Sequence, residues 1–310
     1  WVWTKSRSYS SSHYSFDSVR GVQKYLSSDT TAAETTHTAM LSSFDSDGFT
    51  LGNSTGVNRA ANTFVAWNWK GGNAISGTGD FTQGTIASTC SRNVDAGFSI
   101  VSFTGTGSAG TVGHGLSQAP EMIIVKNREF VEAWGVFHKD VSADPETDYM
   151  QLQGTNAVAD YVGAWNDTMP AATVFTVGSW DATNNSGDDI IAYCFHSVDG
   201  YSKVGSYEGN SNADGTFVYT GFRPAYVIRK RTDGSGHWHI VDNDREGYNG
   251  SDSNDVLFAN TTSADIDANR VDFLSNGFKN RTTDGDVNGD GNDYIYMAFA
   301  ETPFKYSNAR

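Results

Sequence analysis

Apolar and polar residues alternate with a period of two along most of the chain. Ser99, Val101 and Phe103 read as one face of a strand, and Ile100, Ser102 and Thr104 as the other. The runs are short. Gly, Ser, Asn and Asp separate them, residues that supply or tolerate the backbone of tight turns. A helical period is nearly absent. Only "TTAAETT" (Thr30 to Thr36) predicts a helical turn, and its β-branched threonines weaken it. The pattern predicts an all-β protein built of tandem antiparallel β-sandwich repeats, jelly-roll or lectin-like in kind.

The repeats are visible in the order of the runs. "NTFVAWNWK" (from Asn62), "NSGDDIIAYCFH" (from Asn185) and "DGDVNGDGNDYIYMAFA" (from Asp284) each lead a polar turn into an apolar strand. Aligned, they bring Trp67, Tyr193 and Met297 to one position and Trp69, Phe195 and Phe299 to another. "WVWTKSR", "MIIVKNR" and "YVIRKR" form a second trio. "HYSFDSVRG", "AWGVFHKDV" and "HWHIVDNDREG" form a third, placing Tyr14, Trp134 and Trp238 in register as core aromatics. The openings "GFSIVSFTGTG" (from Gly97) and "GYSKVGSYEGN" (from Gly200) have no counterpart ahead of Trp1. The expected organisation is a first unit over 1–70 lacking that opening, a connecting excursion over 71–96, a second unit over 97–199 and a third over 200–310. The excursion is rich in Gly, Ser and Thr, with Phe81 and Ile86 to bury.

Composition narrows the function. The 33 glycines and 5 prolines suit short strands and tight turns, and the net charge of −15 argues against a nucleic-acid groove. The two cysteines, Cys90 and Cys194, make no disulfide framework, and Cys194 inside "IIAYCF" reads as a buried thiol. No apolar run approaches the ~20 residues that cross a bilayer, so membrane insertion is not expected. Trp1 begins in what reads as the middle of a strand, with no charged leader, which fits a piece of something longer or a mature form.

Three sets of residues are candidates for chemistry. Asp286, Asn288 and Asp290 with Gly291 space their oxygens like the start of a calcium loop, making calcium the one candidate cofactor. The twelfth position is Met297 instead of a bidentate Glu, which favours a polar turn. His237 and His239 share a strand face and could chelate, without a third ligand nearby in sequence. Lys5, Lys126 and Lys230, with Arg7 and Arg128, recur at the end of one strand. They suit either anion binding or pairing with carboxylates between units or subunits. No Gly-x-Ser-x-Gly elbow, phosphate loop or zinc spacing marks an enzyme.

The stretches "YSFDSVRGVQKYL", "FDSDGFTLG", "GFSIVSFTGTG" and "YIYMAFAE", over nearly the whole chain, resemble a repeat domain of marine bacteriophage tail-fibre-like virion proteins. The resemblance implies a structural virion protein, tail-fibre or appendage-like, contributing to host-surface recognition. Its expected partners are other virion proteins, a host surface glycan or protein, and two further copies in a homotrimer. A capsid-decorating or shaft protein and a glycan-degrading spike are the alternatives.

Overall fold

In a computed structural model, the structure describes residues 1–72, 74–76, 82–245, 249, 255–268 and 270–302, the backbone alone for 74–76. Phe81 lies outside the described residues. The chain is nearly all β, in antiparallel sheets. Its main strands are β1 (Val2–Ser6), β2 (Tyr14–Phe16), β3 (Phe64–Asn68), β4 (Ser88–Asn93), β5 (Phe98–Thr104) and β6 (Met122–Asn127). They continue with β7 (Trp134–His138), β8 (Asp189–Phe195), β9 (Ser202–Glu208), β10 (Pro224–Arg231), β11 (His239–Asp242) and β12 (Asp293–Ala300).

One three-strand motif occurs three times, as β2-β1-β3, β7-β6-β8 and β11-β10-β12. The registers agree: Trp3 pairs with Trp67, Ile124 with Tyr193 and Ile228 with Met297. In the second and third units a fourth strand continues the sheet, β5 on β8 and β9 on β12. Beyond β5, the sheet of the second unit runs on through β4 and Ala74–Ser76, so the stretch 71–96 adds strands to it. Ile86 from that stretch is buried beside Val112.

The period of two sends alternate side chains to opposite faces of each sheet, and both faces are buried. One face of all three sheets meets in a shared central core that includes Trp3, Trp67, Ile124, Tyr193, Ile228 and Met297. The opposite faces make three separate cores, one per unit, under hairpins such as Leu41–Phe44 with Phe49–Leu51. Each fully buried Ile or Phe contributes roughly 1.5–3 kcal/mol. The shared core therefore ties the units together as firmly as each is tied internally.

The units dock head to tail and close a ring. Three seams repeat one set of bonds. The backbone N–H groups of Glu34, Val158 and Asp265 donate to the carbonyls of Arg128, Thr232 and Arg7 at 2.7, 2.9 and 2.8 Å. Those of Glu132, Gly236 and Ser11 donate to Thr31, Thr155 and Thr262 at 3.0, 2.9 and 2.9 Å. A ring nitrogen completes each seam: Trp134 Nε1 to Ser27 O (3.1 Å), Trp238 Nε1 to Gln151 O (2.9 Å) and His13 Nε2 to Phe258 O (3.0 Å). His13 Nδ1 accepts from Trp3 Nε1, so its proton sits on Nε2, and burial lowers its pKa to about 3.

Two sequence expectations change here. The pairing sets Tyr14 opposite Thr4, Trp134 opposite Lys126 and His239 opposite Arg229. Counting along the strands, His13 and not Tyr14 stands where Trp134 and Trp238 stand. The position needs a ring N–H aimed at the neighbour rather than an aromatic surface. Thr30–Thr36 is not helical, because Glu34 donates its N–H across a seam and Thr35–Thr36 pair as a strand. The helical turns are α1 (Val162–Trp165), α2 (Asp181–Asn184) and α3 (Gly285–Asn288).

Trp134→Phe keeps a ring in the core and deletes one seam donor. Urea unfolding is expected to show a loss of about 1–3 kcal/mol from the lost bonds of Trp134 Nε1 to Ser27 O and Thr30 O, with a further cost from the cavity left behind.

Candidate binding site at an open sheet edge

The recurring basic residues have two separate roles. Lys5, Lys126 and Lys230 are fully buried, and each ammonium donates to the carbonyl of the next residue, at 2.9, 2.6 and 2.6 Å. Lys5 also reaches Thr262 O and Lys126 reaches Phe130 O. Among the described residues none of the three sits in an ion pair. The expected carboxylate pairing does not hold for them, because their side chains lie along the strand ends with carbonyls in reach. Burial lowers each pKa to about 8.

Arg7 and Arg128 reach across seams. Arg128 bonds Glu34 (2.9 and 3.0 Å), Glu34 meets Arg20 (3.3 Å), Arg20 pairs with Asp17, and Asp17 accepts from Tyr193 Oη (2.8 Å). Between the first and third units, Arg7 bonds Asp265, Asp265 bonds Arg245, and Arg245 bonds Asp242, each at 2.7 Å. Asp242 then accepts from Trp67 Nε1 at 3.0 Å. At the third seam the same five positions hold Thr232, Val158, Val141, His138 and Met297. His138 is held neutral there, its pKa lowered by burial to about 4. The spacing Asp-x-x-Arg in "FDSVRG" and "VDNDREG", absent from "FHKDV", is the signal that marks these chains in the sequence.

The calcium-like spacing does not converge. Asp286 turns to the backbone N–H of His237 (3.4 Å) and to His239 Nε2 (3.5 Å), which holds its pKa down at about 2. Buried Asn288 donates to Asn210 Oδ1, Asn212 O and Thr282 O (3.2, 2.9 and 2.7 Å), while Asp290 is exposed. α3 pulls these side chains apart, with Asp284 Oδ1 capping Asp286 N (2.9 Å). His237 and His239 both pack on Phe258, and His237 meets the Asn260 side chain instead of sharing a ligand with His239. Among the described residues no cluster of three His, Cys, Asp or Glu could hold a metal. Cys90 and Cys194 are buried thiols outside any disulfide, and burial pushes that of Cys194 well up.

Asn288 is instead the third of a set. Asn58, Asn184 and Asn288 each stand nine positions before Trp67, Tyr193 and Met297. Their side-chain amides donate to Gly52 O, Gly178 O and Thr282 O at 2.9, 2.6 and 2.7 Å. Asn184 also donates to Ser108 O (2.7 Å) and accepts from Thr106 N (2.8 Å), gripping the loop that follows β5. Asn288 grips the loop after β9 in the same way through Asn212 O and Asn210 N. Asn58 is exposed and, among the described residues, makes only its bond to Gly52 and a main-chain bond to Ser54.

The first unit thus differs at the outer edge of β3. There a cavity of about 310 Å³ lies between β3 and the third unit, lined by Trp67, Trp69, Tyr201, Tyr226, Phe299 and Asp242 among others. Trp69 meets Tyr226 and Phe299 edge-on at 5.6 Å, and Tyr201 meets Phe299 at 5.8 Å. Among the described residues the buried Tyr226 hydroxyl has no hydrogen-bond partner, and burial beside Asp242 raises its pKa well above the ordinary value. In the other two units the equivalent space is filled from the neighbouring strand, by Phe98 and Ile100 of β5 and Val204 of β9. Period and spacing could not point to this cavity, because it arises between units far apart in sequence.

The three buried lysines give stability a distinctive pH dependence. Each binds its proton less tightly folded (near pH 8) than unfolded (near 10.5), so the unfolded chain holds more protons between those values. The melting temperature is expected to rise from pH 8 to roughly 9.5. Lys126→Met should remove about a third of that rise, as read by scanning calorimetry.

A family model described as a domain of unknown function (DUF7483) matches residues 1–303. No curated protein and no solved structure matches the chain. With its match running through all three units, the chain belongs to the DUF7483 family.

Proposed function

We propose that this chain is a structural protein of a virion, an appendage module that carries a host-recognition surface. The observation behind the reading is the ring: three β-units sealed by one repeated set of bonds, with the titratable groups of the seams used for packing. Such an object keeps its shape in the medium without disulfides, as a particle component must. The sequence resemblance to tail-fibre-like proteins supports the same assignment.

For recognition, an aromatic patch on the second unit is the best-suited surface. Tyr149, Tyr161 and Trp180 stand with ring centroids 4.6–6.2 Å apart, and Tyr161 is 41% exposed. Val162 and Met169 are exposed in the same region of the chain. Aromatic rings with one open face bind the apolar faces of sugars.

Immunogold labelling of purified particles is expected to decorate a tail appendage; particles without label overturn the assignment. On a glycan array built from host surface polysaccharide, Tyr161→Ala should lose binding while its melting temperature stays near that of the parent. New reducing ends released from those glycans would instead identify a degrading spike.

A further inference from the structure

We infer that the aromatic surface of the second unit selects a sugar with a free amine, bound in its ammonium form. The inference rests on the reading of that surface as a glycan site and adds the charge of the ligand.

The three-ring set is peculiar to the second unit. Counted from the seam donors Glu34, Val158 and Asp265, the place of Tyr149 is held by Tyr25 and Val256, and that of Tyr161 by His37 and Ala268. Asn184 N donates to the carbonyl of Trp180 at 2.8 Å; Asn58 N and Asn288 N donate in the same way to Ser54 and Asp284, at 2.9 and 2.8 Å. The same frame thus folds in the other units without these rings.

Two glycines seat the rings against the main chain. A Cβ at Gly135 would stand 3.1 Å from Cζ3 of Trp180, and one at Gly163 would collide with the Tyr161 ring. Tyr14 and His239 hold the place of Gly135 in the other units. The rings are inclined to one another by 57–86°. Among the described residues the two tyrosine hydroxyls and the Trp180 ring N–H bond no protein group, and they are available to the hydroxyls of a ligand.

The charge around this surface has one sign. From Asp140 to Asp199 the chain carries ten Asp and Glu residues and no Lys or Arg. Asp148 precedes Tyr149, Asp160 precedes Tyr161 and Asp181 follows Trp180. Asp148 and Asp160 also stand directly opposite each other in the ladder, an arrangement that costs stability. The third unit repeats it with Asp255 opposite Asp267, and there Arg7 of the first unit supplies a cation at 3.0 Å. Across the seam from Asp148, Thr232 takes the place of that arginine. Among the described residues neither Asp148 nor Asp160 has a cationic partner, and the Asp148 side chain accepts only from Thr147 Oγ1, at 3.4 Å.

Strand alternation turns this carboxylate pair away from the tyrosines, so it acts on a bound cation through its field and not by contact. An ammonium over an aromatic face is drawn to the ring quadrupole, and the field of the carboxylates draws it further. A carboxylated sugar would be repelled by the same groups.

The test compares two oligosaccharides of one geometry, a chitosan pentamer and the fully N-acetylated chitin pentamer. Both are titrated into the full chain by calorimetry at mildly acidic pH, where the free amines are charged. The chitosan pentamer is expected to bind roughly tenfold or more tighter, by a ratio that shrinks in high salt. Tyr161→Ala should lose chitosan binding with an unchanged melting temperature, and Asp160→Asn, at an exposed position, should narrow the ratio. Equal binding of the two oligomers, tighter binding of chitin, or a ratio that neither salt nor Asp160→Asn alters would overturn the inference and leave the glycan site standing. Chitosan binding untouched by Tyr161→Ala would be attraction to the acidic chain at large, and would overturn it too. Binding of neither oligomer also overturns it, while the glycan array decides the wider reading separately.

Discussion

The molecule depends on a clamp of three hydrogen bonds made at every seam: two main-chain bonds and one ring N–H to a carbonyl. Each bond alone contributes only about 1 kcal/mol. Their importance is geometric, because they fix the angle at which one sheet meets the next. With that angle repeated three times the ring closes, and the inner faces of the sheets bury Trp3, Ile124 and Ile228 in one core. Without closure those faces would be exposed apolar surface.

The clamp explains the buried lysines. A strand that ends at a seam leaves carbonyls turned inward, away from water, and such groups are costly when unpaired. Lys5, Lys126 and Lys230 reach back to satisfy them. They carry a desolvated ammonium into the core to do so, and their depressed pKa values are the trace of that cost. Their recurrence follows from a main-chain requirement.

Much of the architecture was legible in the sequence. Period-two patterning gave the all-β class, and the pairings of Trp3 with Trp67, Ile124 with Tyr193 and Ile228 with Met297 follow the same alignment. What misled was chemistry read without direction. Tyr14 was aligned with Trp134 as an aromatic, whereas the site selects a ring nitrogen and takes His13. The Asp286–Asp290 spacing suggested a cation because sequence does not reveal that Asn288 points into the Asn210–Asn212 turn. The cavity beside β3 was not legible for a different reason: the alignment shows that the first unit lacks the opening that forms β5 and β9, but the space itself arises between the first and third units, far apart in sequence.

The five-residue chains at the seams also work as an assembly code. Each unit has a leading face and a trailing face. The first unit is charged on both, the second only on its leading face through Arg128, and the third only on its trailing face through Asp265, Arg245 and Asp242. Val158 and Val141 on the trailing face of the second unit match Thr232 and Met297 on the leading face of the third. Exchanging the positions of the second and third units would press Arg7 against valine and leave Glu34 facing threonine. Glu34 would keep Arg20 and Lys24, but Arg7 would lose Asp265 and Asp255 together, and breaking such part-buried pairs costs several kcal/mol. Tandem units of one fold are prone to docking in the wrong order or with a neighbouring molecule, and here the mismatch penalises every circular order except the one in which the units lie along the chain.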